Sequence, residues 1–577
     1  MAQAQQKDIH EGLNTAVTVL NDSKDDWAKT SNTERIQVLS EVKEQLMKVA
    51  EGWVNAAARH KQIPGNSSLV GEEWASGPYS VMAGCNALME TLSKMEGKKF
   101  LDDIPLRELP NGQTCATVIP HTIWDRLIFS GVKAEIWMQK GVNAANLAKN
   151  TAVAYDIPVE ERSGKIALVL GAGNVAAITP LDCFQKLFLE NQVVILKMNP
   201  VNEYLVDYFQ VALKPLIDRN ALRITRGGAD VGEYLCNHPD IEEIHITGAQ
   251  TSHDIIVWGA GEEGVKNKAA GTPRNTRRMT SELGGVGPTI VVPGPWNKAD
   301  IRFQAEHVAT QKLHNSGFNC VACQMLIMPK GWLKTAEFME QLKDVVATAP
   351  ARPLYYPGAN ERMAEFASNA DVVEKLDRNG ADPVVVVPFD KDKHGWFEKN
   401  EVFGPALSTH MLDSTEDSEK FLTDAIAYVN ENLHGSLGAN ILIHPSTIKK
   451  IGKKKFDEII ADLHYGCIAV NAWTGLGFLA VQTPWGGFPG HTLEDVGSGI
   501  GTVHNTYMFE KTERTVVYAP FRPFPRTLLT GGLTLLPKPP WFITNKRSAQ
   551  LGKGLTDFQY KPSWFKVPGI FINALRG

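Results

Sequence analysis

Lys165-Ile-Ala-Leu-Val-Leu170-Gly171-Ala-Gly173-Asn-Val-Ala176 sets a short run of apolar and β-branched residues directly before a glycine turn. A run of that length suits a buried strand better than a helix. Three more follow it, Val193-Val-Ile-Leu196, Ile244-His-Ile246 and Thr289-Ile-Val-Val292, with helix-like segments between them. Strands alternating with helices argue for parallel sheet assembled from βαβ units, so the fold class is α/β. The turn itself fits a G-x-G-x-x-A dinucleotide fingerprint, a weak signal alone, and Glu190 stands near the position expected of a ribose-binding acid.

Outward from that stretch the chain is long. At 577 residues it exceeds one ordinary core, and two or three domains are expected. Hydrophobic residues make up 43% and charged residues 21%, with a net charge of -5, which points to a small-molecule partner rather than to nucleic acid. Residues 1 to about 140 read as a helical lead-in, with Ile36, Leu39, Val42, Leu46, Val49 and Val54 at helical spacing and Ser31 and Thr33 available as caps. The first thirty residues lack the apolar core of a signal peptide, and no uninterrupted apolar run reaches the roughly eighteen residues of a membrane span, so a cytoplasmic location is expected. Seven scattered cysteines do not form a disulfide framework, and reduced thiols are the expectation. The lysines at 449, 450, 453, 454 and 455 read as a solvated helix face, and no repeat of solenoid length is present.

After Ala519 the composition shifts. From Pro520 to Gly577 nine basic residues stand against a single acid, Asp557, a net +8, with Pro and aromatic residues such as Trp541, Phe542, Trp564 and Phe565 between them. Such a segment either wraps its own subunit or a neighbour, or touches an anionic membrane surface peripherally.

The segment richest in chemistry is Asn315-Ser-Gly317-Phe-Asn-Cys320-Val-Ala-Cys-Gln324, which places Cys320 in a polar, glycine-broken stretch before an apolar run. Ser281-Glu282-Leu283-Gly284-Gly285 lies upstream and Glu401-Val402-Phe403-Gly404-Pro405 downstream. That order, at those separations, resembles the aldehyde dehydrogenase superfamily over roughly residues 30 to 518, as a divergent member with a C-terminal extension. The resemblance implies a Rossmann-type cofactor domain, an α/β catalytic domain and a small oligomerisation element, divided at 1–278, 279–475 and 476–518, with the extension at 519–577. It implies NAD or NADP as cofactor, no metal, and a homodimer or homotetramer that pairs a strand across subunits, for which the edge-like run Thr512 to Val517 is the candidate.

By the same resemblance Cys320 is the nucleophile and Glu282 the general base. Asp182, in Pro180-Leu181-Asp182, stands where the family's Pro-Trp-Asn motif carries its oxyanion amide. Thr179, Pro180, Lys197, Gly228, Gly232, Thr247, Gly248, Leu283, Gly284, Glu401 and Phe403 match cofactor contacts. Four positions depart from the family pattern: Leu181 and Asp182, Phe318 in place of a glutamine, and His253 in place of a glycine. Pro200 replaces the glutamate that many NAD-preferring members have, which leaves NAD and NADP both open. Phe318, Trp473 and Phe478 are candidate walls of an apolar substrate tunnel. The expected activity is oxidation of an aldehyde to a carboxylic acid through a cysteine thioester; the alternatives are a CoA-acylating relative and a catalytically weak binding or scaffold homologue. Cys320 and Cys323 form a lone C-x-x-C, for which reversible oxidation is a more plausible side role than zinc.

Overall fold

The computed structural model describes residues 2–378, 380–390, 395–414 and 417–577. Two long helices, Ala2–Ala28 and Asn32–His60, lead the chain. The second starts at a capping box in which the Glu34 N–H donates to the Ser31 hydroxyl and the Ser31 N–H donates to the Glu34 carboxylate. Thr33 lies within that helix. The helical lead-in ends well before residue 140, because Leu106–Glu108, Thr114–Ile119 and Lys133–Met138 are antiparallel strands. The run Thr-Cys-Ala-Thr-Val-Ile is rich in β-branched residues and suits a pleated surface better than a helix.

Two of the large sheets position the site. A six-stranded sheet runs in the order Gly499–Ile500, Arg278–Leu283, Glu243–Gly248, Ile166–Leu170, Val193–Lys197, Leu222–Thr225, parallel except for the first strand. Its strand order reverses at Ile166–Leu170, which lies between Val193–Lys197 and Glu243–Gly248. A doubly wound sheet opens its ligand crevice at the carboxyl ends of the strands at such a point. The residues there are the turn after Leu170 and the end of the strand at Thr247 and Gly248.

The second sheet has eleven strands among the described residues. From one edge to the other they are Leu106–Glu108, Thr114–Ile119, Lys133–Met138, Thr512–Tyr518, Cys467–Val470, Gly438–Leu442, Pro288–Val291, Met325–Pro329, Ala406–Leu412, Ala381–Phe389 and Glu374–Arg378. Thr512–Tyr518 is therefore an interior strand, parallel to Cys467–Val470 and antiparallel to Lys133–Met138. It is not the free edge that the sequence reading reserved for pairing across subunits. Thr515 and Val516 are fully buried and Val517 nearly so, as a central strand covered on both faces requires.

The C-terminal segment packs on its own subunit. Arg522 and Arg526 both pair with Asp300, Lys538 pairs with Glu306 and Lys553 with Glu51. Its helix Ser548–Tyr560 lies against the helix Val70–Trp74. Two glycines permit that approach: a Cβ on Gly71 would stand 2.4 Å from the Ser548 carbonyl carbon, and one on Gly552 would stand 2.6 Å from the Trp74 Cβ. Among the described residues no helix is long and apolar enough to cross a membrane. The lysines at 449, 450 and 453 to 455 are exposed, on the helices Pro445–Ile451 and Lys453–Ala461.

Candidate active site

The helix Lys298–Leu313 hands the chain to a turn in which Asn315, Ser316 and Gly317 all take positive φ, 54°, 56° and 80°. Only the glycine adopts that conformation freely, so the two preceding residues must be held there. The Asn315 N–H donates to Glu72 Oε2 at 3.1 Å, Asn315 Nδ2 donates to the Asn174 carbonyl at 3.1 Å, and Tyr355 donates to Asn315 Oδ1 at 2.7 Å. Arg352 Nε donates to Ser316 Oγ at 3.0 Å. Beneath the turn lies a buried ionic network: Arg352 pairs with Glu72, and Lys61 Nζ sits 2.9 Å from Glu73 and 3.0 Å from the Asn174 carbonyl. None of Lys61, Glu72, Glu73 and Arg352 carried a signal in the sequence, because their function is visible only once residues far apart in the chain converge.

Cys320 follows this turn and is the one cysteine of the seven that is not fully buried. It lines an apolar pocket, with about 530 Å³ of space between its walls, part of it open to solvent, together with Asn174, His314, Asn319, Trp473, Phe478 and Trp485. Burial pushes the Cys320 thiol up, and the carboxyls of Glu282 and Glu401 push it further. The resting group is the thiol, and any base that takes its proton is close at hand. His314 lies against Trp473, ring centroids 4.8 Å apart and tilted by 54°, and burial holds its imidazole below the usual histidine range, so it is neutral at physiological pH. Asn319 Nδ2 donates to the His314 carbonyl at 2.9 Å. Phe318, expected in the cavity wall, is instead fully buried against Tyr355, Tyr356 and Phe403.

Asn174 stands four residues beyond the strand end at Leu170, and its Nδ2 donates to the Phe318 carbonyl at 3.0 Å, which leaves its second amide hydrogen unassigned. Asp182, by contrast, does not line the cavity. It belongs to the buried helix Ile178–Phe184, accepts a hydrogen bond from Thr247 Oγ1 at 2.9 Å, and lies 3.4 Å from His245 Nε2. Thr179 and Pro180 share that helix, and Thr179 backs the Gly171 turn, where a Cβ would stand 2.8 Å from its hydroxyl. The side chain that lines the cavity with Cys320 is thus the amide of Asn174, not the carboxylate of Asp182. The Pro-Leu-Asp match drew the sequence reading eight residues past Asn174, which stands four residues beyond the strand end.

Glu282 ends the strand Arg278–Leu283 directly beside Thr247 in register, so Asp182, bound to Thr247, sits next to it. Burial raises the Glu282 carboxyl well above the carboxylate range, and the negative charge of Asp182 raises it further. Trp485, which lines the cysteine cavity, stands close enough to the same carboxyl to oppose that rise.

On the cofactor side the candidate residues converge on the crevice. Gly284 approaches Glu401 so closely that a Cβ would lie 2.1 Å from Oε2, and Glu401 Oε1 is buried with no hydrogen-bond partner. Burial pushes the Glu401 carboxyl up to about 8 against the opposing influence of Lys312 and Arg362. Leu283 is buried, and Phe403 packs on Tyr356 and under the Arg362 guanidinium. Lys197 closes the strand Val193–Lys197, with the charges of Glu203 and Asp230 acting on it. Gly248 is exposed just before the nine-residue helix Gln250–Trp258, while open space surrounds Gly232, and Gly228 caps the helix Ala229–Cys236. A carboxylate with an unpartnered buried oxygen, a lysine at a strand end and a free helix N-terminus are the groups that ribose hydroxyls and a pyrophosphate need, so the crevice fits a dinucleotide. Two earlier expectations fall away. Glu190 lies at the opposite, amino end of the strand and pairs with Lys186 and Arg278, and His253 is fully buried beside Asp254 rather than facing the crevice. Lys312 was not anticipated: its ammonium is buried without a hydrogen-bond partner among the described residues.

Comparison with known proteins agrees with this architecture. The chain is 20% identical over 456 residues to a probable aldehyde dehydrogenase of Streptomyces coelicolor, covering 74% of each. It is 24% identical over 287 residues to aminoacetaldehyde dehydrogenase of Pseudomonas aeruginosa, covering 45% of this chain and only about half (49%) of the relative. Among solved structures, aldehyde dehydrogenase C of Pseudomonas syringae, crystallised with NAD+ and octanal, superposes with a TM-score of 0.58 at 16% identity over 89% of this chain and 90% of that one. The NADP-dependent glyceraldehyde-3-phosphate dehydrogenase of Bacillus halodurans gives 0.57 at 16% identity over 88% and 91%. At those identities the superpositions establish the fold. The sequence profile of the aldehyde dehydrogenase family matches residues 185–512, more than half of the chain and a span that holds strands of both sheets and the loops of Cys320, Glu282 and Glu401, so the chain belongs to that family.

Proposed function

We propose that the protein oxidises an aldehyde to a carboxylic acid, with NAD or NADP as hydride acceptor, through a thioester on Cys320. The observation that carries this reading is the shared cavity, in which the one partly exposed cysteine meets the Asn174 amide and, through Trp485, the Glu282 carboxyl. In this reading the Cys320 sulfur adds to the aldehyde carbon as its proton leaves to a neighbouring base, Glu282 or the neutral imidazole of His314. The free N–H of Asn174 steadies the alkoxide of the thiohemiacetal. The dinucleotide, held by Lys197, the helix start after Gly248 and the Glu401 carboxylate, supplies the hydride acceptor. Glu282, once it has released its proton to solvent, is in its carboxylate form a stronger base for its raised pKa, and takes a proton from water as that water cleaves the thioester and the Cys320 thiolate leaves. Glu203 and Asp230 beside Lys197 set negative charge where a 2′-phosphate would lie, which favours NAD.

The test is reduced-cofactor formation from a panel of aldehydes, with NAD and NADP separately, by the wild type and by Cys320→Ala and Asn174→Ala. The reading requires no turnover from Cys320→Ala and a loss of about a hundredfold to a thousandfold in kcat from Asn174→Ala. Turnover only when free CoA is present would favour the acylating alternative, against which the presence of Glu282 speaks. Absence of turnover with intact nucleotide binding would favour the binding homologue.

A second reading concerns location. Leu529, Leu533 and Phe565 of the C-terminal segment are 82%, 86% and 96% exposed, on a segment of net positive charge, which supports peripheral contact with an anionic bilayer. Co-sedimentation with anionic vesicles that is unchanged in the triple variant L529S/L533S/F565S would refute it.

A further inference from the structure

A second apolar chamber, with about 870 Å³ of space between its walls, part of it open to solvent, adjoins the cysteine cavity. The two share the wall residues Ala75, Leu479 and Trp541, so the chambers stand side by side at these three residues. Body residues Ala83, Ile119, Phe129 and Leu476 form one side of the second chamber, and Trp541 and Leu555 of the C-terminal segment form another. Those tail residues lie beyond the end of the family match at residue 512. The tail is fixed there by the Gly71 and Gly552 contacts rather than laid loosely over an opening.

The chemistry of the walls selects an occupant. Among the described residues lining either chamber there is no lysine or arginine, and the single ionisable acid is Asp125 in the second chamber. The Asp125 carboxylate is already committed to the backbone N–H groups of His121 and Thr122, both at 2.9 Å. A substrate bearing a carboxylate or a phosphate would be desolvated here without a cationic partner. An unbranched alkyl chain would lose only water.

We infer that the C-terminal segment completes an alkyl-binding site, and that the protein takes long-chain aliphatic aldehydes with the carbonyl at Cys320 and the hydrocarbon running past Trp541 into the second chamber. This rests on the aldehyde-oxidising reading of Cys320 given above. Burying successive methylenes predicts that kcat/KM rises by about twofold to fourfold per methylene until the chambers are full.

The experiment measures kcat/KM for unbranched aldehydes from propanal to hexadecanal in the wild type, Ala83→Phe, which narrows the second chamber from the body side, and Leu555→Phe, which narrows it from the tail. Variants are compared by the ratio of dodecanal to propanal, and melting curves confirm that at least one is folded. The expected result is a wild-type profile that climbs with chain length and a ratio lowered at least tenfold in the folded variants. A flat wild-type profile, or variants that scale all chain lengths equally, would overturn the inference. If no aldehyde is oxidised, the proposed reaction fails, and the site is read separately by calorimetric titration with dodecan-1-ol. Binding by the wild type that is weakened in the filled variants would uphold the alkyl site without the reaction, and absence of binding by the wild type would end both.

Discussion

In the reaction proposed above, Asp182 would act through Glu282, its neighbour across Thr247, rather than through the thiol. Its negative charge helps to keep the Glu282 carboxyl protonated, so Asp182→Asn removes one cause of the raised pKa. The acid limb of the kcat/KM profile against pH should move to lower pH in that variant, and a limb that stays in place or moves up would exclude the coupling. Lys312 gives a second prediction. Burial brings its ammonium down to about 8 from an ordinary 10.5, so the folded state carries a charge it disfavours at every pH below about 8. The cost is constant there, shrinks between pH 8 and 10.5, and vanishes above that range, where the unfolded chain is neutral as well. Lys312→Met should therefore be more stable than the wild type by about 3 kcal/mol at pH 7, with the gain fading towards pH 10 in urea titrations at the two pH values. An equal difference at both pH values would show that the ammonium is hydrated in the folded protein.

The turn that carries Cys320 depends on an element remote from it in sequence, the buried network of Lys61, Glu72, Glu73 and Arg352. Removing one partner of a buried pair strands the other, at a cost of about 3–5 kcal/mol. Arg352→Met should lower stability by that order in urea unfolding and, because Ser316 loses its anchor, should also change the rate at which iodoacetamide labels Cys320. Stability falling without any change in labelling would separate the network from the site. The strands Ile166–Leu170, Val193–Lys197 and Glu243–Gly248 were legible in the sequence because buried parallel strands are near-continuous apolar runs. The Cys320, Glu282 and Glu401 loops were legible because glycine turns mark them. The three strands between Leu106 and Met138 were missed because they are short and lie among helices, and Asn174 was missed because the Pro-Leu-Asp segment offered a closer formal match than distance from a strand end did. Ionic networks, the Lys312 burial and the second chamber depend on tertiary convergence, which no local pattern encodes.

Over the whole molecule, the C-terminal segment is part of the structure rather than an appendage, held by two close glycine contacts and by ion pairs to Asp300, Glu306 and Glu51. Gly552→Val would drive side-chain atoms into Trp74, and the helix Ser548–Tyr560 should lift from the body. Trypsin would then cut at Lys546, Arg547 or Lys553 well before the remainder of the chain, whereas a variant as resistant as the wild type would show that the interface yields elsewhere. The interior strand Thr512–Tyr518 has a different consequence, one of timing. It lies between the strands Lys133–Met138 and Cys467–Val470, and it follows both in order of synthesis. Until it emerges, the central sheet exists as two halves with unpaired edges facing each other, a state that exposes strand edges to other nascent chains. Synthesis therefore includes an interval in which the other ten described strands of this sheet exist and the sheet cannot close, a stage at which a chaperone would shield its open edges.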